Sequence, residues 1–161
     1  MRSPIILAAI SVAAVVSFTA CGSDSATKTT TSITYVATLN AANERPNANS
    51  STGTGTATYT LTGDTLRYTV SVTGLTGDAK AAHIHVGSAA TAGGVIVPYT
   101  LTATTGIITS GSILLSQPIV NGTTSITGDS LKVLLNTGNA YTNVHPALNG
   151  GGEVRGQIIK Q

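Results

Sequence analysis

Cysteine is nearly absent from this chain: Cys21 is the only one in 161 residues. No intramolecular disulfide can form, and the Cys-x-x-Cys spacing of redox and zinc motifs is excluded. Charge is scarce as well, at 9% Asp, Glu, Lys and Arg with a net charge of +2. That balance gives no electrostatic case for nucleic-acid binding and no polybasic membrane patch. Neither a Gly-x-Ser-x-Gly elbow nor a Walker-type loop occurs. The apolar run from Ile5 to Phe18 is too short for a comfortable membrane span.

That run follows a lone Arg2 and ends in small residues, the pattern of a secretory signal. Phe18-Thr19-Ala20-Cys21 resembles a bacterial lipobox, in which the cysteine is lipidated and becomes the first mature residue. Gly22 to Ser32 (GSDSATKTTTS) is small, polar and without periodicity, which suits a flexible tether. The expected organisation is a lipoprotein signal peptide over residues 1–20, a tether over 21–32 and one domain over 33–161. The expected location is extracytoplasmic, with lipid on Cys21 as the membrane partner. Gly22 is not the aspartate associated with inner-membrane retention, so the outer membrane is favoured where there are two.

From residue 33 onward the chain alternates with period two, punctuated by Gly, Asn and Asp. Ile33, Tyr35, Ala37 and Leu39 share one strand face, as do Ala57, Tyr59 and Leu61, and Leu66, Tyr68, Val70 and Val72. Threonines, serines and Arg67 occupy the opposite faces. Gly63-Asp64 joins two of these runs as a tight hairpin. Further strands are expected around Ala82 to Val86, Val95 to Val97, Tyr141 to His145 and Glu153 to Ile159, and Ile107-Ile108 with Ile113 to Leu115 suggest one or two more. Many short strands with glycine-rich turns predict an all-β fold, an antiparallel β-sandwich or Greek-key barrel. Ser130 to Leu135 breaks the alternation and predicts one short helix near 129–136, with Asp129 at its start and Gly138 at its end. Thr127-Gly128-Asp129-Ser130-Leu131-Lys132 echoes Thr62-Gly63-Asp64-Thr65-Leu66-Arg67, an echo too short to be a repeat.

Chemistry concentrates in three patches: Ala82-His83-Ile84-His85-Val86-Gly87, Tyr141-Thr142-Asn143-Val144-His145, and Gly152-Glu153-Val154-Arg155-Gly156-Gln157. All three histidines and one of the two glutamates lie there. Alternate residues of a strand share a face, roughly 7 Å apart. His83 and His85 therefore face one way, Tyr141, Asn143 and His145 share a face, and so do Glu153, Arg155 and Gln157. One reading is a copper or zinc site on His83, His85 and His145, with Glu153 as fourth ligand or as partner to an imidazole N–H. Its geometric requirement is ring nitrogens within about 3–4 Å of one another. A cation such as Arg155 beside the ion is unfavourable unless something separates them. The other reading is a structural polar network of Asn143, Glu153, Arg155 and Gln157, with Glu153 and Arg155 as a charge-assisted pair. Anion or ligand binding by Arg155 and the histidines is a third.

The motifs AHIHVG, YTNVH and GEVRGQI, with the opening Leu39-Asn40-Ala41-Ala42-Asn43-Glu44-Arg45-Pro46, resemble the CHRD (chordin-type) domain over about residues 33–160. The resemblance implies a secreted or surface protein, bacterial lipoproteins included, and an immunoglobulin-like or superoxide-dismutase-like sandwich. It implies no established enzymatic activity, and chordin's growth-factor partners do not carry over to a bacterial lipoprotein. The His-Ile-His element is also similar to the His-x-His of copper–zinc superoxide dismutases. With three histidines in total and no disulfide, a dinuclear dismutase is not expected, and a mononuclear copper site stays open. The functional expectation is a non-enzymatic, membrane-anchored binding or envelope-structural protein with no named protein partner; its alternative is a mononuclear copper or zinc protein using the three histidines, with redox activity as a further option.

Overall fold

The computed structural model describes residues 30–161, so the expected signal peptide, Cys21 and the tether up to residue 29 lie outside the described residues. Eleven strands run in the order β1 (Ser32–Asn40), β2 (Thr54–Thr62), β3 (Thr65–Thr73), β4 (Ala79–Val86), β5 (Val95–Pro98), β6 (Gly106–Leu114), β7 (Ile119–Asn121), β8 (Thr124–Ile126), β9 (Ala140–Pro146), β10 (Val154–Gln157) and β11 (Ile159–Lys160). One helix, α1 (Gly128–Asn136), separates β8 from β9. Nine strands form a single antiparallel sheet in the spatial order β5-β4-β9-β10-β1-β2-β3-β6, with β11 added to β1; β7 and β8 pair separately. The all-β expectation holds, and the sheet curls into a half-barrel.

Alternation explains the curl. The inward rows of β1, β2 and β3 supply Tyr35, Ala37, Leu39, Ala57, Tyr59, Leu66, Val70 and Val72, and β4 and β9 add Ala82, Ile84 and Val144, all buried. Twist brings the two ends of this long sheet to face each other across the core. Tyr59 of β2 spans that core: its hydroxyl lies 2.5 Å from Thr142 Oγ1 on β9 and 2.7 Å from the hydroxyl of Tyr99. Outward rows on the β1–β3 side are hydroxyl-bearing, and Thr54, Thr56, Thr58 and Thr62 are exposed along one strand.

The helix lies where consecutive rather than alternating apolar residues predict it, and Leu131 and Leu135 are buried beneath it. Its cap is a correction: Thr127, not Asp129, occupies the N-cap and accepts from the Ser130 amide at 3.1 Å. Gly138 does end it, with amide bonds from Gly138 to Leu135 and from Asn139 to Leu134 closing the last turn. The hairpin of β7 and β8 around Asn121-Gly122 is absent from the sequence-based strand set. Its strands are only three residues each, too short to show a period.

Leu131→Ala is expected to cost about 2–5 kcal/mol because the methyls it removes are fully buried. Val133→Ala, on the exposed side of the same helix, is expected to stay within about 0.5 kcal/mol. Urea unfolding midpoints of the two variants check this assignment.

Candidate metal centre

β4 and β9 are neighbours, with Ala81 opposite His145, His83 opposite Asn143 and His85 opposite Tyr141. His83 and His85 are two apart on one strand, and His145 is the diagonal neighbour of His83 on the next, so all three rings emerge from the same face. Ring centroids lie 5.4 Å apart for His83 and His85, 5.0 Å for His83 and His145, and 5.9 Å for His85 and His145. One ring nitrogen from each lies within 4.8 Å of the others. The set is therefore more open than the 3–4 Å expected from sequence.

Two backbone carbonyls orient these rings. His85 Nδ1 lies 3.0 Å from the Gly93 carbonyl, and His145 Nδ1 lies 3.0 Å from the Gly150 carbonyl. A carbonyl only accepts, so each Nδ1 carries the proton and each Nε2 keeps its lone pair. The nitrogens left buried without a partner are His83 Nδ1, His85 Nε2 and His145 Nε2, one per ring. Burial, reinforced by the neighbouring imidazoles of His145 and His85, pushes the His83 pKa down to about 4. Burial also lowers His85 and His145, against the carbonyls that oppose the shift. All three rings are neutral at pH 7, the form that ligates metal.

Gly93 makes this arrangement tight. A Cβ there would sit 1.8 Å from the Val86 carbonyl oxygen, so only glycine brings the 93 carbonyl against His85. The Gly93 amide also donates to the Tyr141 hydroxyl at 3.0 Å. Tyr141 stacks on His85 with centroids 4.9 Å apart and planes 12° apart. On its other face stands Arg155, whose Cζ is 3.5 Å from the ring centroid, because β4 and β10 flank β9 on opposite sides. The phenol ring thus separates the guanidinium from the imidazoles. Tyr141 and Gly93 lie outside the expected site residues; parity already placed Tyr141 on the right face, whereas nothing in the sequence signals the Gly93 carbonyl.

The other polar residues do not gather at the histidines. Glu153 is fully buried and its two oxygens accept from Ser51 Oγ (2.6 Å), the Thr76 amide (2.8 Å), Thr76 Oγ1 and Asn149 Nδ2 (2.9 Å). Burial alone would raise its pKa; the side-chain and backbone donors of Ser51, Thr76 and Asn149 outweigh that and hold it below the usual carboxylate range. It is not among the converging ligand atoms, and among the described residues the ion pairs are lysine–aspartate contacts, with no Glu153–Arg155 pair. Alternate residues do share a face, but Glu153 precedes β10 and turns into the loops around it. Arg155 donates to the carbonyls of Ser88 (2.7 Å) and Thr91 (2.8 Å). Gln157 donates to the carbonyls of Gly87 (2.7 Å) and Gly138 (2.6 Å), tying the end of α1 to the loop after β4.

Asn143 leads to a buried group outside the expected site residues. Its Nδ2 donates to Glu44 Oε2 at 3.3 Å, and Glu44 is 3% exposed with Oε1 unpartnered. Burial pushes the Glu44 pKa up to about 7, against the Asn143 bond and the charges of Arg155 and Arg45.

The class of protein that fold and site define is a curled antiparallel β-domain with three clustered imidazoles on one face of its sheet. The CHRD domain family matches residues 35–158. The chain belongs to that family, and membership supports a non-enzymatic binding role at family level. Neither the curated proteins nor the solved structures compared with the chain contain a match.

The two glutamates have opposite pH signatures. Glu44, with its folded pKa raised, costs nothing below the ordinary carboxylate pKa, and its cost grows as pH rises to about 7. Glu44→Gln is therefore expected to stabilise by on the order of 1–3 kcal/mol at pH 8 and to change little at pH 4. Glu153, with its folded pKa lowered, contributes stability above the unfolded pKa that is lost as pH falls through the folded one. Glu153→Gln is expected to destabilise at pH 7, with the difference shrinking in acid. Denaturation curves at the two pH values for each variant check both signs.

Proposed function

We propose that the domain binds one divalent metal ion on His83, His85 and His145, copper in preference to zinc. The observation that carries this reading is the trio of buried ring nitrogens with no hydrogen-bond partner, on rings that are neutral at pH 7. A polar network built for stability alone would leave such nitrogens paired, since each unmet buried group costs about 1–3 kcal/mol. The carbonyls of Gly93 and Gly150 supply the outer support that metal-binding imidazoles normally have. An all-imidazole set suits both copper and zinc, and the general affinity order favours Cu²⁺. Arg155 is no obstacle, because Tyr141 stands between it and His85. Glu153 serves the loops instead of the ion.

The anchoring part of the reading places this domain on an extracytoplasmic membrane surface through lipid on Cys21, with residues 1–20 removed and 21–32 as tether. It is supported by the lipobox-like Phe18 to Cys21 and by the absence of any other cysteine. The role is capture or storage of metal at the envelope, without a catalytic cycle.

Protein made without a His-tag, loaded with copper at neutral pH and dialysed, is expected to retain about one equivalent by elemental analysis. His83→Ala is expected to abolish retention while leaving the far-ultraviolet dichroism unchanged. Retention below about a tenth of an equivalent overturns the metal reading. For the anchor, Cys21→Ser is expected to move the full-length protein from the detergent phase to the aqueous phase on Triton X-114 partitioning; a wild-type protein already in the aqueous phase overturns it.

A further inference from the structure

The charge inventory around the three histidines is one-sided. A pocket of about 290 Å³ opens over the rings, lined also by Lys80 and by the apolar Ala81, Val95, Pro146 and Ala147. No carboxylate lines it. Both glutamates are engaged elsewhere, Glu153 by Ser51, Thr76 and Asn149 and Glu44 by Asn143. The nearest acid in sequence, Asp78, lies 3.7 Å from Lys80 and is 64% exposed, so solvent screens the pair. A divalent ion on three neutral imidazoles keeps both of its charges, and the apolar walls beside it make that excess more costly than in bulk water. Three protein ligands also leave a coordination position open, here toward the pocket.

We propose that this open position takes a small monovalent anion from solvent as the fourth ligand, and that Lys80 steers it in. The proposal rests on the metal reading of the same three histidines. The anion supplies the negative charge that the protein's own ligands omit. In plain buffer solvent water, or the hydroxide formed when a bound ion lowers its pKa, would hold that position. Stronger anionic donors displace it. Lys80 is exposed and acts at a distance, so its share is modest and falls with salt.

The test uses copper-loaded protein and sodium azide, read by absorption and by electron paramagnetic resonance. Azide is expected to add a near-ultraviolet charge-transfer band and to alter the copper hyperfine pattern, saturating at one per ion. Lys80→Glu is expected to weaken azide binding about three- to tenfold at low salt, a difference that fades near 1 M salt. Protein that retains copper but shows no spectral change with azide overturns the anionic fourth ligand and leaves the metal site standing. Protein that retains no copper overturns the metal reading, and this proposal with it. Unchanged azide affinity in Lys80→Glu overturns the role of Lys80.

Discussion

A carboxylate with no countercharge holds the loop end of this domain together. Glu153 is removed from water, and burying an unpaired charge is among the costliest things a fold can do. Here four donors from three separate loops surround its two oxygens, and they are numerous enough to keep it ionised. The loops around Ser51, Thr76 and Asn149 are thereby fixed against one another, and Gly150, next along the chain, is set where its carbonyl meets His145. The position of the third imidazole therefore depends on an acidic side chain that never touches it. A charged centre that stabilises nothing by ion pairing still sets the geometry of the site.

Strand β9 transmits this order. Thr142 and Val144 pack inward, while Tyr141 and Asn143 are buried on the opposite face as well, so the strand has almost no wet side. Packing of this kind on both faces is ordinary for the centre of a layered fold, yet here the outer cover is made of loops held by polar side chains. Arg155, Gln157 and Asn143 each cap a carbonyl or carboxyl of that cover. The histidines sit where the cover stops, so His83 and His145 are half-buried, His85 is buried against Tyr141, and a pocket still opens over all three.

Parity made most of this legible. Alternation located the sheet and put His83, His85 and His145 on one face, because side-chain direction along a strand is set by backbone geometry alone. It also grouped Glu153 with Arg155, and there the argument failed: sharing a face does not make two residues neighbours when one of them precedes its strand. The six-residue echo shows the limit in sharper form. Thr62-Gly63-Asp64 forms a hairpin turn with Gly63 at φ 57°, whereas Thr127-Gly128-Asp129 starts a helix in which a Cβ on Gly128 would lie 2.0 Å from the Leu115 carbonyl oxygen. Nearly identical words take different structures because their surroundings differ, and the two meet in space where Lys132 binds Asp64 at 2.9 Å. Glu44 was opaque for the same reason. Nothing local marks a loop glutamate as buried until the neighbouring strands close over it.

The exposed threonine row of β2 has a consequence for the molecule as a colloid. Its contact with water runs through hydroxyls rather than ions, so that surface keeps its hydration as acidity or salt varies. Filling the histidine site would add positive charge at one end of the sheet and leave this neutral threonine row as it was. Solubility and ligand chemistry are thereby assigned to different parts of one continuous sheet.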